Sequence, residues 1–309
     1  MATYITIDGG TTNTRISLIE NLKVIDTLKF GVGARAGIDD KKILESTVKN
    51  GIIDILKNNK KSETDITRIL ASGMITSEFG LCQLDHITAP AGIKELNATM
   101  HEVILENISE IPFVFIRGVK TSCSNISDAD MMRGEETELM GISLGGEGTY
   151  ILPGSHSKII RTDEDGRILT FSTMLTGEMA ASLSANTILK DAVDFKTTKT
   201  DVEYLLKGYE YCNEKGINEA LFKVRILKNI FKENADRVYS FFMGIILCNE
   251  INFVLKENPP KIVIGGKKQI KEAMEVILKK KCNSEIILVS DDMVDSSSSI
   301  GMIKVFEYK

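Results

Sequence analysis

The sequence predicts an α/β chain of two domains, and three observations predict it. The chain has 309 residues, about twice a typical domain of roughly 150. It opens on strand, polar tip, strand, turn, strand, and that pattern returns near the middle without residue identity between the copies. Helix-periodic stretches alternate with single strands through the remainder.

Composition narrows the function. Apolar residues make up 43% and charged residues 26%, an ordinary globular mix. A net charge of -5 lays no basic footprint for nucleic acid, which argues against a polyanion partner but leaves room for a local anion pocket. Cys82, Cys123, Cys212, Cys248 and Cys282 contain no C-x-x-C pair, and the three histidines lie near none of them in sequence. That usage fits a reduced, cytoplasmic compartment. No basic and apolar leader opens the chain, and no apolar run nears the ~20 residues that cross a bilayer. The expectation is a protein neither exported nor embedded in a membrane.

Taken in order, Tyr4 to Ile7, Thr14 to Ile19 and Val24 to Phe30 read as an antiparallel meander with a polar tip after the first strand. Ile43, Leu44, Val48, Ile52, Ile53 and Leu56 recur at helical spacing between residues 40 and 58. "RILASGMI" and "PFVFIRGV" read as buried strands, and the second half of "DADMMRGEETELMGISL" reads as a helix. The second meander has a strand ending at Leu152, a tip from Pro153 to Ser157, a strand from Lys158 to Thr162, a turn at Asp165-Gly166 and a strand from Arg167 to Phe171. Residues 177–256 are mostly helix-periodic. A strand, Gly-Gly and helix follow in "KIVIGGKKQIKEAM", then a strand in "SEIILVS" and a helix in "SSSSIGMIKVFEY".

The first tip, "DGGTTNTR", has parts suited to phosphate. Gly9 and Gly10 allow positive φ and close backbone approach, so consecutive N–H groups can form an anion nest. Thr11, Thr12 and Asn13 add donors, and Asp8 at the strand end can hold Mg²⁺ through water. The plain alternative is a hairpin that uses glycine and asparagine for turn geometry. It is not a Walker A loop, because Lys-Ser/Thr is missing.

"ADMMRGEETELMG" gathers Asp130, Arg133, Glu135 and Glu136 at a loop-to-helix junction. Either these acids complement a helix dipole, or one of them is a base for a substrate hydroxyl while Arg133 grips an anion. In "LPGSHSK", Ser155, His156 and Ser157 offer hydrogen bonds to phosphate or substrate, with Lys158 as a point charge. The isolation of His156 from cysteines and carboxylates in sequence argues against zinc. Thr176-Gly177-Glu178 opens a helix, where capping and anion binding explain the residues equally. Gly265 and Gly266 are either a tight strand-to-helix turn or a surface for adenine and ribose.

In this order "IDGGTTNTR", "SGMITSEFG", "MRGEETELMG", "LPGSHSK", "FSTMLTGEM" and "IVIGG" resemble the 2-dehydro-3-deoxygalactonokinases, within the sugar kinase, heat-shock ATPase and actin superfamily, over nearly the whole chain. The resemblance implies an α/β actin-like ATPase or hexokinase-type fold. Two ribonuclease-H-like domains, 1–145 and 146–309, would flank a nucleotide-binding cleft. It implies ATP and Mg²⁺ as cofactors and a small sugar acid as partner, phosphorylated on its terminal 6-hydroxyl in galactonate catabolism. A homodimer is the state expected by analogy.

Carried over residue by residue, Asp8 to Asn13 look like the first phosphate segment, Ser155 to Lys158 the second, and Gly265 with Gly266 the adenosine segment. "GMITSEFG", with Met74 and Ser77, and "MRGEE" belong to the substrate side. Glu135 is the first choice of base and Asp130 the second, with Arg133 holding the sugar carboxylate. The chain departs from the family at Gly9, where relatives typically carry tryptophan, at Glu78 and Leu81 after "GMI", and in "QLDHITAPAG", which keeps Pro90-Ala91 but little else. Glu78 beside a carboxylate substrate is unfavourable unless it points away or pairs with Arg133. Two other readings stand beside this one: a kinase of the same fold for another sugar or sugar acid, and a nucleotide-binding sensor that does not phosphorylate.

Overall fold

A computed structural model describes residues 2–122, 124–197 and 199–309; Cys123 therefore lies outside the described residues. The first meander forms as expected. β1 (Thr3–Gly9) pairs antiparallel with β2 (Thr14–Glu20) from Thr3↔Glu20 to Gly9↔Thr14, and β2 pairs with β3 (Lys23–Phe30). Parallel to β1 runs β4 (Arg68–Gly73), and the sheet is completed as β3-β2-β1-β4-β7-β6 by β7 (Ser109–Phe115) and β6 (His101–Leu105).

Both faces of β1 are covered, which explains its nearly unbroken burial. Ile5 and Ile7 point into a core shared with Ile16, Leu18, Ile69, Phe113 and α2 (Lys41–Asn58), after the single turn α1 (Ala36–Asp39). Asp40 caps α2 by accepting from Lys42 N–H at 2.9 Å, and Leu44, Val48, Ile52 and Ile55 supply its buried stripe. Tyr4 and Thr6 point to the opposite face. Asp8, two residues further on, shares that side.

"RILASGMI" is a strand only as far as Gly73; Met74–Thr76 is a 3-10 turn. "PFVFIRGV" divides between β7 and β8 (Val119–Lys120). The two-residue strands β5 (Ile87–Thr88), β8 and β9 (Met131–Met132) form a small separate sheet, with α3 (Ile93–Ala98) nearby in sequence. α4 (Glu135–Ile142) follows β9.

The second meander also forms. β10 (Gly148–Leu152), β11 (Ser157–Thr162) and β12 (Ile168–Met174) join β13 (Lys261–Ile264) and β14 (Glu285–Leu288) in the order β12-β11-β10-β13-β14. The helix-periodic middle resolves into α5 (Thr176–Asn186), α6 (Val202–Lys215), α7 (Ile217–Asn229) and α8 (Ala235–Glu257), with α9 (Lys268–Lys281) after β13. Their core packs Leu205, Val238, Phe242, Ile245 and Leu247 against Ile151, Ile262 and Ile264. Residues 235–257 correct the expectation that no apolar run reaches bilayer length: by length and composition α8 could span a membrane, yet 78% of its apolar window is buried inside the protein. It is the central helix of this core.

Contacts divide the chain into two units. One comprises Met1–Glu147, Thr162–Thr170 and Asp292–Lys309, and the other Gly148–Arg161 with Phe171–Asp291. The last helix, α10 (Asp291–Phe306), was expected with 146–309 but groups largely with the first unit. Its attachment is specific: Tyr4 Oη donates to Glu307 at 2.9 Å, Thr6 and Ser299 hydroxyls meet at 2.7 Å, and Lys304 Nζ donates to the carbonyls of Met140 and Gly141 at 3.0 and 3.2 Å.

Candidate active site

In the first unit the site grows from the end of β1. The hairpin register places Asp8 opposite Arg15, and directly opposed residues project to the same face of a sheet. The tip Gly10–Asn13 closes with Gly10 N–H donating to Asn13 C=O at 2.8 Å. It is anchored from behind, where Ala34 N–H donates to Gly10 C=O at 3.0 Å and Arg35 N–H to Thr11 C=O at 2.9 Å. Thr11, Thr12 and Asn13 are exposed. Among the described hydrogen bonds their N–H groups donate to no protein acceptor. That leaves three adjacent donors for an anion.

One expectation about this tip is corrected. Neither Gly9 nor Gly10 has positive φ, so the glycines do not build a left-handed nest. They permit close approach: a Cβ at Gly9 would meet Ile75 Cβ at 2.7 Å, and one at Gly10 would meet Asn13 C=O at 3.1 Å. The tryptophan that the resemblance suggested at Gly9 does not fit this backbone.

α4 brings further acids to Asp8. Gly9 pairs with Gly73 along β1 and β4, and Gly134 sits so near that its Cβ would lie 3.3 Å from Gly73 Cα. The Ser72 and Thr137 hydroxyls meet at 2.9 Å and fix α4 over β4. Glu135 and Glu138, three residues apart, share a helix face. Burial pushes the Asp8 carboxyl up, Arg15 opposes this, and Glu135 adds to it. Burial likewise pushes Glu138 to about 8, reinforced by Glu135 and Asp8. Asp8, Glu135 and Glu138 each retain partial exposure, as groups lining a concave surface do. Among the described residues no three His, Cys, Asp or Glu stand close enough to hold a metal directly.

The other predicted residues of this unit take structural positions. Asp130 accepts from its neighbour Met131 N–H at 2.7 Å, at the start of β9. Arg133 Nη1 donates to the Thr76 carbonyl and hydroxyl at 2.8 and 2.6 Å. Its Nη2 donates to Leu84 C=O at 3.1 Å and lies 3.2 Å from His86 Nδ1. Burial, with the Arg133 charge, pushes His86 down to about 4, so its neutral ring can accept that bond. Arg133 thus shapes the loop that carries Met74 and Ser77; its guanidinium does not stand open as a carboxylate grip. Ser77 Oγ donates to Met74 C=O at 2.7 Å and is buried, while Met74 is partly exposed. Glu78 points to solvent and makes no ion pair with Arg133 among the described bridges.

Glu136 is fully buried, and its two oxygens accept from Gly134 N–H at 2.9 and 2.8 Å. Burial first, then Glu135, pushes its carboxyl from 4.5 to about 8. A carboxyl with a raised folded pKa binds more protons folded than unfolded between those values, so its contribution to stability falls as pH rises through that window. Glu136→Gln removes this loss. Its Tm relative to the parent should rise by roughly 2–4 °C for each kcal/mol recovered between pH 5 and 8.5; parallel Tm curves would refute the assignment.

The second unit carries the second tip. Gly154, Ser155 and His156 are exposed, and their N–H groups donate to no protein acceptor among the described hydrogen bonds. The tip docks on the start of α5. Glu178 N–H donates to Ser155 C=O at 3.1 Å, and His156 Nε2 lies 2.8 Å from Glu178 Oε2. Gly177 is required there, because a Cβ would meet Gly154 C=O at 2.3 Å.

Ser157 is corrected from a tip residue to a buried strand residue, because β11 begins there, and Lys158, expected as a point charge for phosphate at the start of that strand, is buried on it as well. Ser157 Oγ donates to Glu250, and Lys158 Nζ donates to Thr173 Oγ1 at 2.8 Å. Gly265 N–H donates to Ile151 C=O at 2.9 Å, and Gly266 has φ +76° with its Cβ position 2.8 Å from Pro153 C=O. The Gly-Gly turn therefore lies against the second tip. Arg15, Glu138 and Glu250 were missed by sequence reasoning. The symmetric hairpin loop could have found Arg15, and the three-residue spacing from Glu135 could have found Glu138.

One meander has its exposed tip beside a group of carboxyls and the other beside a Gly-Gly turn, and the chain has the fold of the actin-like ATPases and sugar kinases. The family model described as 2-keto-3-deoxy-galactonokinase matches residues 8–297, and the chain belongs to that family. A probable 2-dehydro-3-deoxygalactonokinase of Rhizobium meliloti (strain 1021) is 28% identical over 198 residues, covering 62% of this chain and 59% of the relative, which is under two thirds of that protein's length. A crystal structure from Sinorhizobium meliloti, provisionally named 2-dehydro-3-deoxygalactonokinase, has a TM-score of 0.75 at 21% identity, covering 99% of this chain and 100% of that one. The ADPNP-bound activator of 2-hydroxyisocaproyl-CoA dehydratase from Clostridium difficile has a TM-score of 0.51 at 12% identity, covering 99% and 95%. At these identities the two structures bear on the fold alone.

Proposed function

We propose that the chain is an ATP-dependent sugar-acid kinase that phosphorylates the 6-hydroxyl of 2-dehydro-3-deoxy-D-galactonate. The observation that carries this reading is the end of β1, where three N–H groups of the Gly10–Asn13 tip, with no protein acceptor among the described hydrogen bonds, adjoin the Asp8 carboxyl, which burial pushes up against the opposing charge of Arg15. Family membership supplies the substrate class. We place the reaction among cytoplasmic sugar-acid metabolites, with a homodimer as the expected assembly. The unit that begins with Met1–Glu147 would carry the first phosphate tip and the sugar-acid side, and the unit of Gly148–Arg161 with Phe171–Asp291 the second tip and the adenosine side.

Glu135 accepts the hydroxyl proton as the substrate oxygen bonds to the γ-phosphorus and the bond from that phosphorus to the β-phosphate oxygen breaks, releasing ADP. Asp130 is the second choice. The tip N–H groups of Thr11, Thr12, Asn13, Ser155 and His156 bind phosphate oxygens, and Gly265 and Gly266 admit the adenosine. Met74 and Ser77 place the loop beside the sugar acid, with Arg133 holding that loop in shape. Asp8 and Glu138 both feel Arg15 and Glu135, and with no three such ligands close enough for direct coordination among the described residues, the residues fit hydrated Mg²⁺ held by Asp8 through water better than a direct cage. Mg²⁺ would neutralise phosphate charge there.

Coupled ADP release should be stimulated by 2-dehydro-3-deoxygalactonate at least about tenfold more than by its gluconate epimer or simple hexoses, a gap of about 1.4 kcal/mol. A rate with a different acceptor alone would reassign the substrate. Tight sugar-acid binding without ADP release would replace the kinase by a sensor.

A further inference from the structure

We infer that Glu250, on α8, is a positioning residue for the second phosphate tip, clamping Ser157 at the tip's end and Thr176 at the start of α5 through its two carboxylate oxygens. This rests on the kinase reading above and adds to it a residue far from either phosphate segment in sequence. Ser157 Oγ donates to Glu250 Oε1, and Thr176 Oγ1 donates to Glu250 Oε2 at 2.6 Å. Glu250 is 1% exposed and Ser157 is fully buried. Neither side chain can reach an external ligand, so their effect is exerted through backbone placement.

The geometry explains why a carboxyl group is kept in this core. Gly154–His156 is exposed, and its N–H groups donate to no protein acceptor among the described hydrogen bonds, so its position must be fixed from its ends and from behind. Glu178 N–H and the absence of a side chain at Gly177 hold the middle of the tip to α5. Glu250 holds its far end and the same helix together from beneath. An ionised carboxylate accepts from both hydroxyls at once, which an apolar residue of the same size cannot do. Burial pushes the Glu250 carboxyl up, and the two hydroxyl bonds oppose that shift. A buried carboxylate with both oxygens bonded is costly to lose, because its partners are then buried unsatisfied.

The test compares Glu250→Ala and Glu250→Gln with the parent, using coupled ADP release and calorimetric titration with Mg·ADP. Glutamine can still accept from one hydroxyl and donate to the other. Glu250→Ala should raise KM for Mg·ATP and weaken Mg·ADP binding about tenfold, the order of one lost charge-assisted hydrogen bond. KM for the sugar acid should change less than about twofold, and Glu250→Gln should recover Mg·ATP affinity to within about threefold. If Glu250→Ala does not fold, Ser157→Ala and Thr176→Val each remove one bond and should each weaken Mg·ADP binding severalfold. Unchanged Mg·ADP binding in folded Glu250→Ala, or in both single-bond variants, overturns the inference while leaving the kinase reading intact. Equal loss toward nucleotide and sugar acid, or no recovery with glutamine, also overturns it and makes Glu250 merely structural. Parent protein that binds no Mg·ADP refutes the kinase reading, and the inference falls with it.

Discussion

Replacing Glu135 by glutamine is expected to lower kcat by about 10²–10⁴-fold, the range a positioned proton acceptor contributes, with KM for Mg·ATP nearly unchanged. Glutamine keeps the side-chain volume and an oxygen that can accept the Arg133 N–H bond, now 3.0 Å from Glu135 Oε2, so α4 should start at the same place. What it removes is a basic oxygen beside Asp8. Asp130→Asn is the comparison, because Asp130 stands at the start of β9 with its carboxylate accepting from the adjacent amide. A smaller fall is expected there, and stopped-flow measurement of the burst of ADP should separate a slowed chemical step from slowed release. Near-parental turnover in Glu135→Gln would move the role to another carboxylate. Glu138 would be tested next, since it shares the helix face and feels both Glu135 and Asp8.

The features that were legible in the sequence are those whose physics is local. Both meanders were readable because a period-two alternation interrupted by a polar tip is written in consecutive residues, and their hairpin pairing follows. The acidic start of α4 was readable for the same reason. Side-chain orientation was less so. Starting β11 one residue earlier places Ser157 in the core with Glu250, and its neighbour Lys158 is buried as well.

Long-range partnerships left no local trace. The commitment of Arg133 to Thr76 crosses 57 residues, and that of Ser157 to Glu250 crosses 93. Thr6 meets Ser299 across 293 residues. The grouping of α10 with the first unit rests on such contacts, and nothing in "SSSSIGMIKVFEY" names its partner. The membrane-length helix shows the converse error. α8 carries charged residues near both ends, and only its burial within the second core explains the apolar run between them.

Asp8→Asn carries the other large expectation: a fall in kcat/KM of about 10²–10³-fold, the order that removal of one group stabilising transition-state charge costs. Asparagine preserves the shape of the side chain at the end of β1 and leaves the tip's unpaired N–H groups in place. Nucleotide binding without added metal should therefore change little. The dependence on Mg²⁺ should shift to higher concentration, because the carboxylate that would hold the hydrated ion is gone. Arg15 provides an internal check on the cause. Its charge opposes the upward push on both Asp8 and Glu138, so Arg15→Gln should raise both carboxyls further and shift the pH–activity profile to higher pH, with activity recovering as pH is raised. Asp8→Asn should show no such recovery, since the amide has no proton to lose. A variant at Asp8 that keeps the parental Mg²⁺ dependence would remove this residue from metal handling and leave it as the partner that orients Arg15.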